Sequence, residues 1–319
     1  MSTTHLISDD SRLPYTIVGK KREDRKLTIP PLLSLVVLNR GGRPYRNDYF
    51  RELERIGNFE IISVEGQERS FDVEALSARY PQVCFLLLHQ RVSAGEAVNL
   101  GMKEAQGRLV LVLWNDMLPG PLSEGLLSRI LSQERLCTVP HLQSPKLETV
   151  PSIAAPAFYR NRLKTLPMVP SADAVPSLFP FDYCGLYERE RFLLLGGYDA
   201  LISNPHWQKM DFGFRTHMWG EKLLCSTSFR VRYLGDHEAE DTTPDASYGR
   251  FYLKNLAVRF DGDAGVLPAG RFLPYAGKQG GSIFSRIREF RDASHWVREN
   301  RFRFCRDARS VTDLWETAE

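Results

Sequence analysis

An aspartate follows a strongly apolar segment in the first half of the chain. Residues 109–113 have the sequence LVLVL, which is too short for a surface helix and typical of a strand buried on both faces. Asp116 comes soon after it, behind Trp114 and Asn115. Because α/β sheets bind ligands beyond the carboxyl ends of their central strands, Asp116 is a candidate ligand-binding or catalytic carboxylate. The alternative is that Asp116 caps the helix predicted to follow it.

Polar residues also follow two other strand-like segments. Residues 32–39 (LLSLVVLN) end in Asn39 and are followed by Arg40, and residues 60–64 (EIISV) are followed by Glu65. We expect these side chains to lie at the same sheet edge as Asp116 if the strands are parallel.

The surrounding segments alternate between strand and helix patterns. A third strand is predicted at residues 83–89, and helical spacing of apolar residues is present at 47–56 and 94–105. Strands that alternate with helices predict an α/β fold with a mostly parallel central sheet flanked by helices.

The second half of the chain contains three more segments that could carry chemistry. Residues 181–199 have the sequence FDYCGLYERERFLLLGGYD, and residues 207–224 have the sequence WQKMDFGFRTHMWGEKLL. In the latter, Asp211 is predicted to begin a helix, where it would act chemically or serve as the N-cap. A strand-like run at 228–234 is followed by Gly235, Asp236 and His237.

Taken in this order, residues 32–237 resemble the family-two glycosyltransferases of the GT-A fold. That family ends its central strand with two aspartates, the last of which contacts a divalent metal bound to a nucleoside diphosphate. Trp114 stands at the first of these positions and Asp116 matches the second. The family commonly has Glu-Asp where this chain has Met210-Asp211. The resemblance implies transfer of a sugar from a UDP- or GDP-linked donor to an acceptor hydroxyl, with inversion at the anomeric carbon.

The resemblance also implies roles for individual residues. Asp116 would bind Mn²⁺ or Mg²⁺, and His237 would complete the metal shell, as a histidine does in some GT-A enzymes. Asp211 would be the catalytic base. The implied nucleotide contacts are Asn39, Arg40, Glu65, Arg91, Asn99 and Asn115, and the candidate acceptor contacts are His206 and Trp207.

Several of these roles have a simpler structural alternative. Glu65 precedes Gly66 and can be a turn residue. Arg40 can be solvated, and His237 can be an exposed loop histidine. Trp207 can be a core aromatic residue, and both interpretations remain open.

Composition and charge exclude several classes. The chain has 319 residues, of which 43% are hydrophobic and 25% charged, as expected of a globular protein with one large or two modest domains. A net charge of +3 and the lack of clustered Lys and Arg argue against a nucleic-acid partner. No apolar stretch approaches the roughly 20 residues of a membrane span. The N-terminal sequence lacks the apolar core of a signal peptide, and 5 scattered cysteines are typical of reduced thiols. We therefore expect a cytoplasmic protein, with peripheral binding at the inner membrane face as a further possibility.

The sequence divides into three parts. Residues 1–30 are polar and predict an N-terminal arm, either loose or packed on the main domain as a hairpin. Residues 31–245 form the GT-A domain, with a nucleotide-binding half at 31–142 and an acceptor half at 143–245. Eight prolines between residues 140 and 180 predict an irregular but ordered insertion on the acceptor side. Residues 246–319 form a C-terminal helical extension.

The acceptor remains open between a carbohydrate, a lipid-linked molecule and a protein. An apolar stripe at residues 283–290 would dock on a membrane surface that carries a lipid-linked acceptor, or pack on its own domain, which is the preferred interpretation.

Two other functions remain possible. The sequence lacks the P-loop, dinucleotide-binding, zinc-protease and nucleophile-elbow motifs. A nucleotidyltransferase would share the sheet but release pyrophosphate, and only Gly41 and Gly42 resemble its glycine-rich loop. A non-catalytic sugar-nucleotide-binding protein is favoured by Trp114 and Met210, which stand where carboxylates are usual.

Overall fold

A nine-stranded mixed sheet forms the centre of the protein. The computed structural model describes residues 13–19, 31–40, 48–67, 70–160, 162–236, 240–277, 280 and 282–315. The strand order in the sheet is β1-β4-β3-β2-β5-β10-β7-β11-β6. The strands are β1 (Tyr15–Val18), β2 (Leu33–Leu38), β3 (Glu60–Glu65), β4 (Val83–Leu88), β5 (Leu109–Trp114), β6 (Met117–Pro119), β7 (Cys137–Gln143), β8 (Ile153–Tyr159), β9 (Arg162–Met168), β10 (Gly185–Glu188), β11 (Leu223–Tyr233), β12 (Arg259–Asp261) and β13 (Ala264–Val266).

Helices cover both faces of this sheet. On one face, α1, α2 and α4 supply apolar side chains to one core, and on the other α3, α5 and α6 supply a second. This layered arrangement confirms the predicted α/β class. The helices are α1 (Tyr49–Ile56), α2 (Ser70–Arg79), α3 (Ala94–Glu104), α4 (Glu124–Ser132), α5 (Arg189–Leu195), α6 (Pro205–Met218), α7 (Ala246–Phe251), α8 (Phe272–Ala276), α9 (Ile283–Glu299) and α10 (Ala308–Asp313), with a π-helical turn at Tyr252–Leu256.

A parallel block lies at the middle of the sheet. Strands β4, β3, β2 and β5 run parallel, and β2 and β5 are buried along almost their whole length, as their apolar sequences predict. Strand β10 pairs antiparallel with β5. The start of β10 therefore lies beside the carboxyl end of β5, and residues from both halves of the chain meet at one sheet edge.

Two expectations for the flanking segments need correction. The proline-rich stretch is only partly irregular, because β8 and β9 in its middle form an antiparallel hairpin. Pro156 and Pro167 fit this two-stranded ribbon because each strand has an open edge that requires no N–H donor. In the arm, β1 pairs with β4 as an edge strand of the main sheet. The described part of the arm thus belongs to the sheet.

The C-terminal region is largely helical, as predicted, and includes the short β12–β13 hairpin. The prediction that the apolar stripe of α9 packs on its own domain is only partly correct. Phe290 packs with Phe272 of α8, but Phe284 is 80% exposed and Ile283 and Ile287 are also exposed. The apolar side chains at the start of α9 are therefore largely exposed, although Arg286 donates to the Ala276 carbonyl of α8. None of the described helices combines the length and apolarity required to cross a membrane.

Candidate functional site

The carboxyl ends of β2, β3 and β5 are connected by side-chain amides. Asn39 Nδ2 donates to Glu65 Oε2 at 2.8 Å, and Asn115 Nδ2 donates to Asn39 Oδ1 at 3.1 Å. Asn115 Oδ1 accepts from the backbone N–H of Arg40 at 3.3 Å. These bonds fix the three strand ends relative to one another.

Arg40 lies at the centre of a cluster of polar and aromatic side chains, which we call the Arg40 cluster: Arg40, Trp114, Asp116, Asp182 and Tyr233. Arg40 Nε lies 3.1 Å from Asp116 Oδ2, and Arg40 Nη2 forms an ion pair with Asp182. The guanidinium carbon lies 4.4 Å from the centre of the Trp114 ring. Tyr233, at the end of β11, donates from its hydroxyl to Asp182 at 2.9 Å.

Neighbouring backbone groups hold the cluster in place. Trp114 Nε1 donates to the Asp182 carbonyl at 2.8 Å, and the Asp116 carbonyl accepts from Leu234 N at 2.7 Å. Asp182 adopts a φ of 53°, a left-handed conformation that aspartate tolerates better than most residues. The cluster is therefore assembled from β2, β5, β11 and the turn before β10.

Neighbouring charges and burial shift the pKa values of Arg40 and Tyr233 in this cluster. Burial lowers the pKa of Arg40, but the carboxylates of Asp182 and Asp116 outweigh burial and raise it above its ordinary value. Burial and then the charge of Asp182 raise the pKa of Tyr233, so its hydroxyl stays a donor. Arg40 thus stays a cation, and Tyr233 stays a neutral hydrogen-bond donor.

A cleft of about 360 Å³ adjoins this cluster. Its wall is formed by the ends of β2, β3 and β4, the start of α3 and the Trp114 ring. The predicted nucleotide contacts Asn39 and Arg91 line it, whereas Glu65 does not. Glu65 is fully buried, and its two carboxylate oxygens accept from Asn39 and Ser63. Direct contact of Glu65 with a ligand is therefore not supported, because Glu65 lies beneath the wall and orients Asn39.

A buried lysine lies near the Arg40 cluster. Lys209 of α6 is fully buried, and its ammonium lies 5.3 to 5.8 Å from the ring centres of Phe179, Phe181 and Tyr183. It forms an ion pair with Glu240. Burial lowers the pKa of Lys209 to about 8, and Asp182 and Arg40 influence it with opposite signs.

His206 lies one helical turn before Lys209. Its Nδ1 is 3.7 Å from Glu240, and its ring packs edge-on against Phe179. Burial, followed by the charge of Lys209, lowers the pKa of His206 to about 4. The predicted acceptor contact is therefore a neutral imidazole at neutral pH.

Asp211 occupies a different environment from the one predicted. The helix begins at Pro205 with Asn204 as its N-cap, so Asp211 lies within the helix and is not its cap. The carboxylate is fully buried and accepts from Arg215 at 3.0 Å and Asn255 at 2.8 Å, and Lys254 lies at 3.3 Å. These contacts oppose the base role, because an acceptor hydroxyl cannot reach this carboxylate.

Two further predicted contacts have structural partners. Asn99 donates to and accepts from the Tyr198 backbone, both at 2.8 Å, which fixes the turn before α6. Trp207 stacks on Phe251 in the core and donates from Nε1 to the Thr243 carbonyl at 3.1 Å. The core alternative for Trp207 is therefore favoured over an acceptor platform. His237 lies outside the described residues.

The described residues do not fit a divalent cation. Asp116 and Asp182 are suitably hard oxygen ligands. However, the Arg40 guanidinium already lies between them, and no group of three His, Cys, Asp or Glu side chains in the described part of the chain is arranged to hold a metal. The predicted Mn²⁺ or Mg²⁺ site at Asp116 and His237 stays a prediction.

Sequence reasoning did not identify Asp182, Lys209 or Tyr233. Asp182 lies within the 181–199 segment, but its role depends on the antiparallel pairing of β10 with β5. The sequence offered no clear signal for Lys209, because its neighbours at helical spacing include the polar residues His206 and Thr216.

Comparison with known proteins gives a fold. No protein-family model matches the sequence, and no curated protein matches it. The structure of GalNAc-T7 with UDP, GalNAc and Mn²⁺ is 18% identical, with a TM-score of 0.57, and the alignment covers 90% of this chain. It covers 58% of the GalNAc-T7 chain, so this protein spans little more than half of that one.

Weaker likenesses exist to S. aureus TarS. One alignment has a TM-score of 0.48 at 10% identity and covers 69% of this chain and 38% of TarS. Another, to TarS 1-349 in complex with UDP, has a TM-score of 0.48 at 9% identity and covers 82% and 70%. These scores are too low to assign a fold. The GalNAc-T7 alignment and the sheet topology together show that this chain has the GT-A fold of glycosyltransferases.

Proposed function

We propose that this protein transfers a sugar from a nucleoside-diphosphate sugar to an acceptor hydroxyl. The observation that carries the proposal is the Arg40 cluster beside a cleft at the carboxyl ends of the parallel strands. In α/β sheets this edge is where ligands bind, and the adjacent cation can take the charge of a diphosphate. GalNAc-T7, which has the same fold, was solved with UDP, GalNAc and Mn²⁺.

The cleft suits the nucleoside part of the donor. Asn39 and the exposed Arg91 offer polar groups on its wall, and Trp114 and Val92 offer apolar surface to a base or ribose. A donor in this orientation would place its diphosphate beside Arg40. Uridine and guanosine diphosphates are therefore the first ligands to test.

The reaction breaks the bond between the anomeric carbon and the diphosphate oxygen, which keeps the electron pair. The acceptor oxygen forms the new bond to carbon and releases its proton to water. Inversion by direct displacement is the outcome that the family resemblance implies. Proton couplings of the anomeric position, followed by NMR during turnover, test that outcome.

The decisive experiment is product analysis with a panel of UDP- and GDP-sugars and simple sugar acceptors. Glycosyl transfer predicts a nucleoside diphosphate and a glycosylated acceptor in equal amounts. Release of pyrophosphate instead would identify a nucleotidyltransferase. Donor binding without turnover of any acceptor would favour the non-catalytic alternative.

A further inference from the structure

We propose that Arg40 and Lys209 take the place of the divalent cation, so that diphosphate binding at this site requires no metal ion. The inference rests on the proposed function for the identity of the ligand. It differs from the sequence-based prediction, in which Asp116 binds Mn²⁺ or Mg²⁺.

The position of the Arg40 guanidinium is the first observation. A metal ion held by Asp116 and Asp182 would have to lie between their carboxylates, and Arg40 fills this place through Nε and Nη2. The Trp114 ring covers one face of the guanidinium, and its side chain is 17% exposed. The cation is thus held in a fixed orientation and stays partly exposed beside Trp114, which lines the cleft.

The hydrogen-bonding capacity of Arg40 is the second observation. A guanidinium has five N–H donors in a planar fork that matches phosphate geometry. Within the described part of the chain, Nε and Nη2 are used by the two aspartates, and Nη1 has no partner. Nη1 is the group that we expect to donate to a diphosphate oxygen.

Charge is the third observation. A divalent cation between two aspartates forms a neutral group. Arg40 and Lys209 balance Asp116 and Asp182 in the same way once the Glu240 carboxylate, which pairs with Lys209, is displaced. With Glu240 displaced, two fixed cations can therefore balance the same two carboxylates as one divalent ion.

Glu240 provides an internal anion for Lys209. Its carboxylate pairs with the ammonium and is partly exposed, whereas Lys209 itself is fully buried. A diphosphate oxygen that reached Lys209 would replace Glu240 and preserve the pairing. When the sugar–diphosphate bond breaks, both cations keep their protons and stabilise the electron pair on the leaving oxygen.

The test is calorimetric titration of UDP and GDP into the unmodified protein, with EDTA in one series and with Mn²⁺ in the other. We expect affinities that agree within about twofold for the nucleotide that binds. Affinity that is raised tenfold or more by Mn²⁺ would overturn the inference. If neither nucleotide binds in either series, the proposed function fails as well, which distinguishes the two failures.

Substitutions sharpen the test. Arg40→Gln and Lys209→Met should each weaken metal-free binding by roughly 10- to 100-fold, the range for a lost hydrogen bond to a charged group. Arg129→Ala, which removes an exposed arginine of α4, is the matched control and should bind as the unmodified protein does. Circular dichroism verifies folding of each variant.

Arg40→Gln has a second expected effect that a structural role would not produce. It leaves Asp116 and Asp182 without their cation, so Mn²⁺ should bind there and partly restore nucleotide affinity. Mn²⁺ electron paramagnetic resonance measures this binding without nucleotide. Mn²⁺ binding to the unmodified protein that equals binding to Arg40→Gln would contradict the replacement of metal by Arg40.

Discussion

Two groups of charged side chains in this protein contain the same residue types but have different roles. The Arg40 cluster lies at the sheet edge, and the side chains of Arg40 and Asp116 are 17% and 10% exposed. The second group, the α6 network, consists of Asp199, Asp211, Arg215, Arg250 and Lys254. Asp211, Arg215 and Lys254 at its centre are at most 3% exposed, and Arg250 at its edge is 15% exposed. Accessibility, and not residue type, separates a candidate binding site from a structural one.

The α6 network satisfies its charges internally. Asp199 accepts from Arg250 at 2.7 Å and from Lys254 at 2.6 Å. Burial raises the pKa of Asp199, but these two cations outweigh burial and lower it below its ordinary value. The network joins α6 to α7 and to the π-helical turn at Tyr252–Leu256. It therefore anchors the C-terminal region on the GT-A domain.

The largest loss of stability is expected from Asp211→Ala. Removing one partner of a buried ion pair leaves uncompensated charge on Arg215 and Lys254, and such changes cost about 3–5 kcal/mol of unfolding free energy. Urea denaturation measures the loss. Asp211→Asn, which keeps the size and one acceptor, is the control and should lose less. Normal stability of Asp211→Asn with transfer reduced by orders of magnitude would instead restore the base role and remove the contrast between the groups.

Asp116→Asn should reduce activity and leave stability almost unchanged, the opposite of Asp211→Ala. Asp116 orients Arg40, and displacement of a positioned group by about 1 Å can reduce the rate roughly 10²-fold. Partly exposed ion pairs contribute only ~0–1 kcal/mol to stability, so the urea midpoint should change little. Steady-state release of nucleoside diphosphate measures the activity. A stability loss as large as that of Asp211→Ala would show that the Arg40 cluster is structural too.

Acidification should lower the stability of the folded protein through His206. Its pKa is lowered to about 4, against about 6.5 for an unperturbed histidine. Between these values the unfolded chain binds the proton and the folded protein does not, so stability falls as the pH drops from 6.5 towards 4. The slope from one such group is at most about 1.4 kcal/mol per pH unit.

His206→Gln isolates this contribution. The variant should lose less stability than the unmodified protein between pH 6.5 and pH 4.5 in urea denaturation, because other titrating groups are common to both proteins. Parallel pH profiles for the two proteins would show that His206 is protonated without cost, and hence that the Lys209 side of the site is more open than described.

The smallest effect is expected at Phe284, which gives a reference for an exposed position. Its side chain is 80% exposed, so Phe284→Ser should change the unfolding free energy by no more than ~0.5 kcal/mol. Differential scanning calorimetry measures the change. A larger loss would mean that the first turn of α9 is covered in solution.

The sequence alone determined the main strands and helices and the sheet edge at which the candidate site would lie. The apolar runs of β2 and β5 are local patterns, so the strands, the α/β class and the position of Asp116 at a strand end were predictable. The pairing of β10 with β5 was not, because it joins residues that are more than 70 positions apart. For that reason Asp182 was missed although Arg40 and Asp116 were found.

Only the tertiary structure decided which carboxylates are accessible. Asp211 has the residue type and sequence context of a catalytic base, but Lys254 and Asn255, more than 40 positions later, fold against it and seal it. Lys209 is buried because Phe179, Phe181 and Tyr183 surround it. Burial and pairing are sums of contacts between distant segments, and local sequence patterns carry no information about which segments will meet.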